Sequence, residues 1–307
     1  MLAFIIRRIA IAIPLLWGVL TLTFFSFRLL VPGDPVAIML FGHATHADYV
    51  RLRHELGYDK PLLFQYWNFL KGAVHFDFGN SVQSQLPVAH EIASRFPVTL
   101  ELAASALFLA TVFGVICGII CALCNRNIVG PGLTTLAVLG FSIPEFVLGV
   151  MAGLVFGVYL HWLPVSGWGD LEHVILPASC LALGLASGLT RLIRATILDA
   201  LNQDFVRTAK AKGVRGFMIV TKHVLRNALL PVITVYGLSV AGLLSGAVII
   251  ENVFALPGLG TLALSAVAQR NFPVVEGTTF FFALILISAN LVVDVLYGFI
   301  DPRIHYS

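Results

Sequence analysis

Between Ile9 and Phe27 the chain carries no charged residue. A run of that length and apolarity leaves the backbone few options, because in a bilayer every N–H and C=O must be bonded inside the segment. It therefore spans as a helix. Pro14 is compatible with this, since neighbouring helices satisfy the carbonyl it frees, and Arg28 then marks the far interface. Comparable apolar runs at about 98–124, 133–160, up to Arg191 and Arg194, 228–250 and 278–300 predict five further spans. The expected fold is an all-α integral membrane protein with six transmembrane helices. Composition agrees: charged residues are 11% of the chain, against about 25% in soluble domains, and the mean hydropathy is +0.93. Arg7-Arg8 ahead of the first run resembles the start of a signal segment. The run is long enough to span, however, and no small-residue cleavage site ends it, so it reads as a retained first helix.

The cations fix an orientation. Arg7, Arg8, Arg126, Arg191, Arg194, the cluster from Arg207 to Arg226 and Arg303 fall on one side of six spans, while the short loops opposite hold only Arg270. By the positive-inside rule the cationic side is cytoplasmic, and both termini lie there. The long first loop carries Arg51, Arg53, Lys60, Lys71 and Arg95, but loops beyond about 60 residues escape the rule. The net charge of +3 is thus explained without a nucleic-acid partner. Three regions follow: an N-terminal helix at 1–31, an extracytoplasmic region at 32–96 opened by the Pro32-Gly33-Asp34-Pro35 turn, and a core at 97–300 with a cytoplasmic loop at 199–227. Tyr66, Trp67, Phe69, Phe76 and Phe78 predict that the long loop folds back on the membrane face.

Asp204 to Pro231 is the one long segment that mixes cations with apolar residues at helical spacing. Arg207, Lys210, Lys212, Arg215, Lys222 and Arg226 supply charge, and Phe205, Val206, Phe217, Val220 and Val224 supply a stripe. Gly213 separates two short helices, since glycine weakens a helix interior and permits a turn. Two readings fit this pattern: a helix lying in the lipid surface with its lysines snorkelling, or a handle for another protein.

Other candidates are few. Glu145 follows the Pro144 break and is the only carboxylate expected deep in a span. Either it lines a path and meets a cationic cargo group, or the break lies near the interface and the carboxylate is hydrated. Asp294 is expected to pair with a cation such as Arg303. The loop from Glu251 and Asn252 to Gly260 is too apolar to be merely solvated and is expected to re-enter or lie across the mouth of a pathway. Cys117, Cys121 and Cys124 recur on one helix face and read as small packing residues. No metal site is expected: His43 and His46 are the only close histidine pair, and that is too few ligands. No phosphate loop or catalytic constellation occurs, so no catalytic residues are assigned.

The run Phe205-Val206-Arg207-Thr208-Ala209-Lys210-Ala211-Lys212-Gly213, with Leu230-Pro231 beyond it, resembles the EAA loop of ABC importer permeases in the form found in the peptide and nickel branch. Arg207 and Thr208 stand where the general pattern has Glu and Ala. The segments Leu30 to Pro35, Leu56 to Pro61, Asp77 to Ser81, Ile250 to Phe254 with Pro257 to Gly260, and Val293 to Tyr297 with Asp301-Pro302-Arg303 are similar to the first permease of dipeptide, oligopeptide, glutathione and nickel importers. The resemblance implies a type I permease fold in the cell inner membrane. It also implies a second homologous permease, two cytoplasmic ATPase subunits and an extracytoplasmic binding protein that delivers peptides. Nickel chelates and glutathione are alternative cargoes, and an ion-coupled secondary transporter is an alternative of another class. Asp204, Phe205, Arg207, Thr208, Ala209, Lys210, Lys212, Gly213 and Arg215 would form the ATPase-coupling loop. Glu145, Glu251 and Asn252 are the pathway candidates. No cofactor is expected in this chain, and ATP and Mg would be bound by the ATPase partners.

Overall fold

The computed structural model describes residues 2–30, 36, 40, 45–55, 57–125, 127–225, 232, 242, 243 and 246–300. Helices dominate them: α1 (Leu2–Phe25, continued by a π-helical turn Ser26–Leu30), α2 (His46–Glu55), α3 (Leu62–Val74), α4 (Val88–Leu123), α5 (Val129–Ser142), α6 (Glu145–Ala152, continued as a π-helix Gly153–Tyr159), α7 (Leu171–Leu201), α8 (Asp204–Ala211), α9 (Gly216–Met218, continued as a π-helix Ile219–Val224), α10 (Leu259–Ala268) and α11 (Phe272–Ile300). Residues 246–253 are also helical. Segments Ile6–Leu29, Val88–Leu123, Leu171–Leu201 and Phe272–Val293 are each long and apolar enough to cross a membrane, and α5 with α6 forms a fifth candidate bent by 99°. Most of the span expected at 228–250 lies outside the described residues, as do Arg126, Arg226, Pro231, Arg303, His43 and the turn at 32–35.

Three helices outrun their expected ends. α4 begins at Val88, not Val98; α7 continues past Arg191 and Arg194 to Leu201; α11 begins at Phe272, not Thr278. In the first two the extra turns are amphipathic. Val88 and Ile92 are buried while Glu91 and Arg95 are not, and Ile193, Ile197 and Ala200 are buried while Ala195 and Asp199 are exposed. In α11 the added turn is almost wholly covered, with Phe272, Val274, Val275 and Glu276 all buried. Apolar length marks what lipid requires, and protein packing carries the helix further.

The chain forms two compact units. In the unit of residues 2–99 and 257–288, Leu20, Ala73 and Phe280 form one buried cluster, and Val88, Ile92, Leu259, Leu262, Ala266, Val274 and Val275 another. The aromatic side chains of the first loop pack on helices. Phe24 lies 5.4 Å from Tyr66 and 5.5 Å from Phe69, and Phe78 lies 5.3 Å from Phe280, ring centre to ring centre. α2 starts at a local box in which the Asp48 carboxylate accepts from the Thr45 N–H at 3.0 Å and Thr45 Oγ1 accepts from the Asp48 N–H at 3.3 Å. These bonds satisfy helix-end donors, and the Thr45 hydroxyl, which donates to the same carboxylate, holds Asp48 below the ordinary carboxylate range.

Arg28, at the end of the first candidate span, is folded inward. Its Nη1 donates to Glu276 Oε1 at 3.2 Å, and its Nε donates to Gln65 Oε1 at 3.3 Å. Its guanidinium carbon lies 4.9 Å from the Phe24 ring centre and 4.5 Å from that of Tyr58. Only 13% and 9% of the Arg28 and Glu276 side chains are exposed. The pair joins α1, α3 and α11 near the N-terminal end of α11. Removing one member strands a buried charge, at a cost of about 3–5 kcal/mol, whereas two apolar residues of similar volume restore much of it. Glu276→Ala should therefore lower the thermal unfolding temperature of the purified protein sharply, and the Arg28→Leu, Glu276→Leu double variant should recover most of the loss. A double variant no better than the single one would show that the pairing is not what holds these helices.

In the unit of residues 100–256 and 289–300, α4 lies directly on α7. A Cβ on Gly114 would come within 2.7 Å of Leu189 Cβ, and one on Gly118 within 2.7 Å of Ile193 Cβ. Two glycines one turn apart thus set the helix separation, as small residues do where no hydrophobic drive separates helix from lipid. Of the cysteines, Cys121 and Cys180 are buried and Cys117 and Cys124 half-buried, all of them free.

Candidate functional site

The handle begins where Gln203, extended at φ −78° and ψ 158°, ends the backbone course of α7 and opens α8. α8 then stops in a defined way. The Gly213 N–H donates to the Lys210 carbonyl at 3.0 Å, and the Val214 N–H reaches back to the Ala209 carbonyl at 3.2 Å. That pair of bonds is the Schellman stop, which requires a left-handed residue. Gly213 supplies it at φ +76°. Arg215, extended at φ −60° and ψ 139°, then opens α9.

The two helices have sharply different sides. Val206, Ile219 and Val224 are buried in one cluster with Leu189, Ile193, Ile197 and Ala200 of α7, and Phe205, Ala209 and Val214 pack at its edge. Asp204, Arg207, Thr208, Lys210, Lys212, Gly213 and Arg215 are all exposed. Of the apolar stripe, Val206 and Val224 are thus spent on the protein itself, with Phe205 at the edge of the cluster. Arg207 and Asp204 approach at 3.7 Å, but with 81% and 96% of their side chains exposed the pair contributes little to stability. What remains is a rigid elbow with a cationic outer face. The side chains of Phe217 and Lys222 lie outside the described set.

A second feature sits at the α5–α6 break. Ile143 is extended at φ −88° and ψ 125°, and Pro144 follows at φ −58° and ψ 138°, because proline removes a donor and drives the preceding residue out of the helical region. Beside the break lies a cavity of about 660 Å³ whose lining includes Phe141, Pro144, Glu145, Gly184, Gly188, Arg191 and Gly242. Glu145 Oε1 lies 3.5 Å from where a Cβ on Gly184 would stand, and a Cβ on Gly246 would overlap Oε2. The carboxylate therefore rests on the bare backbone of two helices.

Of the three pathway candidates, Glu145 alone lines this cavity among the described residues. Glu251 is fully buried, within the helical stretch whose Ile250, Val253 and Phe254 pack against Gly149 of α6. Asn252 is exposed. The stretch from Glu251 to Gly260 is a helix end followed by the start of α10, with the Gly167 N–H donating to the Phe254 carbonyl at 3.2 Å. Sequence pattern marks Arg191 only as a sign of orientation and misses its place in the cavity. A usable signal lies in the spacing of Gly184, Gly188 and Arg191, which puts all three on one face of α7. The side chain of Asp294 and all of Arg303 lie outside the described residues, so their expected pairing does too.

A membrane helix bundle that carries an anchored cationic elbow and a cavity at a broken helix has the construction of a transport permease. Comparison with known proteins agrees. Residues 114–306 match the family described as binding-protein-dependent transport system inner membrane component, and residues 1–103 match the N-terminal region of the corresponding membrane components. The chain is 43% identical over 308 residues to the glutathione transport system permease protein GsiC of Escherichia coli strain K12, and 41% identical over 316 residues to a putative peptide transport system permease protein of Brucella suis biovar 1; each alignment covers 100% of both chains. The fold is similar to that of the inward-facing MetNI methionine ABC transporter, with a TM-score of 0.59 at 16% identity over 69% of this chain and 96% of that one. The chain belongs to the binding-protein-dependent transport permeases, as an ABC importer permease subunit of the peptide and glutathione type with the type I fold. It is a multi-pass membrane component and not itself an ATPase.

The two sides of the elbow should respond differently to substitution. Val206→Ala removes buried carbon at about 0.8 kcal/mol per methylene plus a cavity term, so a loss of about 2 kcal/mol is expected, read as a lowered unfolding temperature. Arg207→Ala should stay within about 0.5 kcal/mol of the parent. Equal losses at the two positions would mean that the charged face is also packed.

Proposed function

We propose that this chain imports peptides delivered by an extracytoplasmic binding protein, and that ATP hydrolysis reaches it through the elbow formed by α8, Gly213 and α9. In this reading it pairs with a second, related permease above two cytoplasmic ATPase subunits, which hold ATP and Mg. The elbow and both termini face the cytoplasm. The distribution of cations supports that orientation.

The observation that carries the proposal is the burial of Val206, Ile219 and Val224 among the residues of α7. α7 also supplies Gly184, Gly188 and Arg191 to the cavity. One stiff helix is therefore the anchor of the elbow and a wall of the cavity. When ATP draws the ATPase subunits together, docking contacts at Arg207, Lys210, Lys212 and Arg215 move the elbow, the elbow moves α7, and the cavity opens to the other side by alternating access. Relatives named for peptide and for glutathione transport both support a peptide-like cargo, glutathione being itself a tripeptide. Neither name points to a nickel chelate. Family membership removes the ion-coupled alternative.

The test uses the assembled complex in proteoliposomes. Gly213→Trp should leave the subunit inserted and assembled but lower ATP-driven uptake of trialanine by ~10-fold or more, since the left-handed stop cannot form without strain. Uptake at the parental rate would overturn the coupling assignment. A cysteine at Lys212 should react only with reagent supplied on the cytoplasmic side.

A further inference from the structure

We propose that the cavity beside the α5–α6 break is a subsite for a short zwitterion, with Glu145 receiving the ammonium end and Arg191 the carboxylate end. The proposal rests on the importer reading and adds to it two residues of this subunit that recognise the ends of the cargo.

The cavity, at about 660 Å³, falls within the range of about 300–1,000 Å³ found for sites that bind small molecules. Among the described residues its walls are mainly apolar, with one charge of each sign, Glu145 and Arg191. No ion pair or hydrogen bond reaches the Glu145 carboxylate from the described residues, and none joins it to Arg191. Gly246 leaves room for that carboxylate where a Cβ would overlap it, and Gly184 lies at contact distance on α7. Glu145 is half-buried, so its carboxylate faces the cavity and is open to a cationic partner.

Arg191 is incomplete in the complementary sense. Its guanidinium carbon lies 4.5 Å from the Phe141 ring centre, which holds the planar group in place. Its Nε is buried without an acceptor among the described residues. A guanidinium so placed fits a carboxylate by its fork of donors.

The spacing selects the length of the ligand. Glu145 sits at the level of Gly184, and Arg191 lies seven residues further along α7, about 10 Å at 1.5 Å per residue and on nearly the same face. An extended tripeptide spans about 10 Å. The arginine side chain leans toward the helix N-terminus, which brings a dipeptide within reach as well.

The experiment measures binding of trialanine, N-acetyl-trialanine and trialanine amide to the purified complex of this chain with its partner subunits, without the binding protein, and in parallel ATP-driven uptake of trialanine with it. The parent complex should bind free-ended trialanine ~10-fold or more tighter than either blocked form, the usual scale for loss of a charged contact. Glu145→Gln should abolish the preference for a free amino end alone. Arg191→Gln should abolish the preference for a free carboxylate alone, and Arg191→Lys should keep most of it. Gly246→Ala, which displaces the Glu145 carboxylate but retains its charge, should act like Glu145→Gln, so the proposal stays testable if one variant fails to assemble. If the parent complex takes up trialanine but does not discriminate the blocked forms, or if the variants keep its discrimination, the subsite is wrong and the importer reading stands. If the parent complex takes up no trialanine at all, both fall.

Discussion

Packing of the elbow on α7 is the interaction on which the rest depends. Val206, Ile219 and Val224 share a buried cluster with Ile193 and Ile197, and interiors packed in this way transmit displacement with little give. A loop held only by its charges would slide over the bundle when pushed, because exposed ion pairs such as Arg207 with Asp204 have almost no restoring energy. The apolar contact makes the elbow part of the helix it touches. It also leaves Arg207, Lys210, Lys212 and Arg215 on the exposed side, where their hydrogen-bonding capacity is available to a partner.

The contact between α7 and α4 acts in the same direction. Gly114 and Gly118 let the two backbones meet so closely that Leu189 and Ile193 fill the space side chains would take. Lipid gives helices no hydrophobic reason to associate, so that fit is the adhesive. Ile193 belongs both to this contact and to the elbow cluster, so α4 and the elbow meet α7 at the same level. The cavity residues Gly184 and Gly188 lie further toward the N-terminal end of the same helix.

Much of this is legible in the sequence, and the parts that are not share a cause. Uncharged runs locate helices because bilayers permit little else. Pro144 announces the break, and Gly213 announces the elbow, because each residue has a backbone consequence that context rarely overrides. Hydropathy fails where helices outrun their apolar length. It ends a span at Arg191 and Arg194, yet α7 continues to Leu201 because Ile197 and Ala200 have protein to pack on. It leaves Glu276 in a loop for the same reason, since no apolar run begins before Thr278, and the pairing partner of Arg28 is then invisible in the sequence. A charge in an apolar sequence marks either an interface or a pair, and one-dimensional pattern does not separate the two.

That distinction gives the charges of this chain three different roles. Arg28 and Glu276 pair with each other, with Gln65, Phe24 and Tyr58 around them, so they serve structure. The exposed cations of the elbow are solvated; they stay in contact with water, and they can meet a partner with small net cost. Glu145 and Arg191 belong to neither group. They share a cavity without pairing, and a protein that needed them only for stability would gain more by joining them or by replacing both with apolar residues. Keeping them apart, with glycine backbone beneath the carboxylate and a phenyl ring beneath the guanidinium, makes physical sense for a site whose missing partner arrives and leaves. A transporter also has to let its cargo go, and two single-ended contacts at opposite ends of a cavity are easily broken when the helix carrying one of them moves.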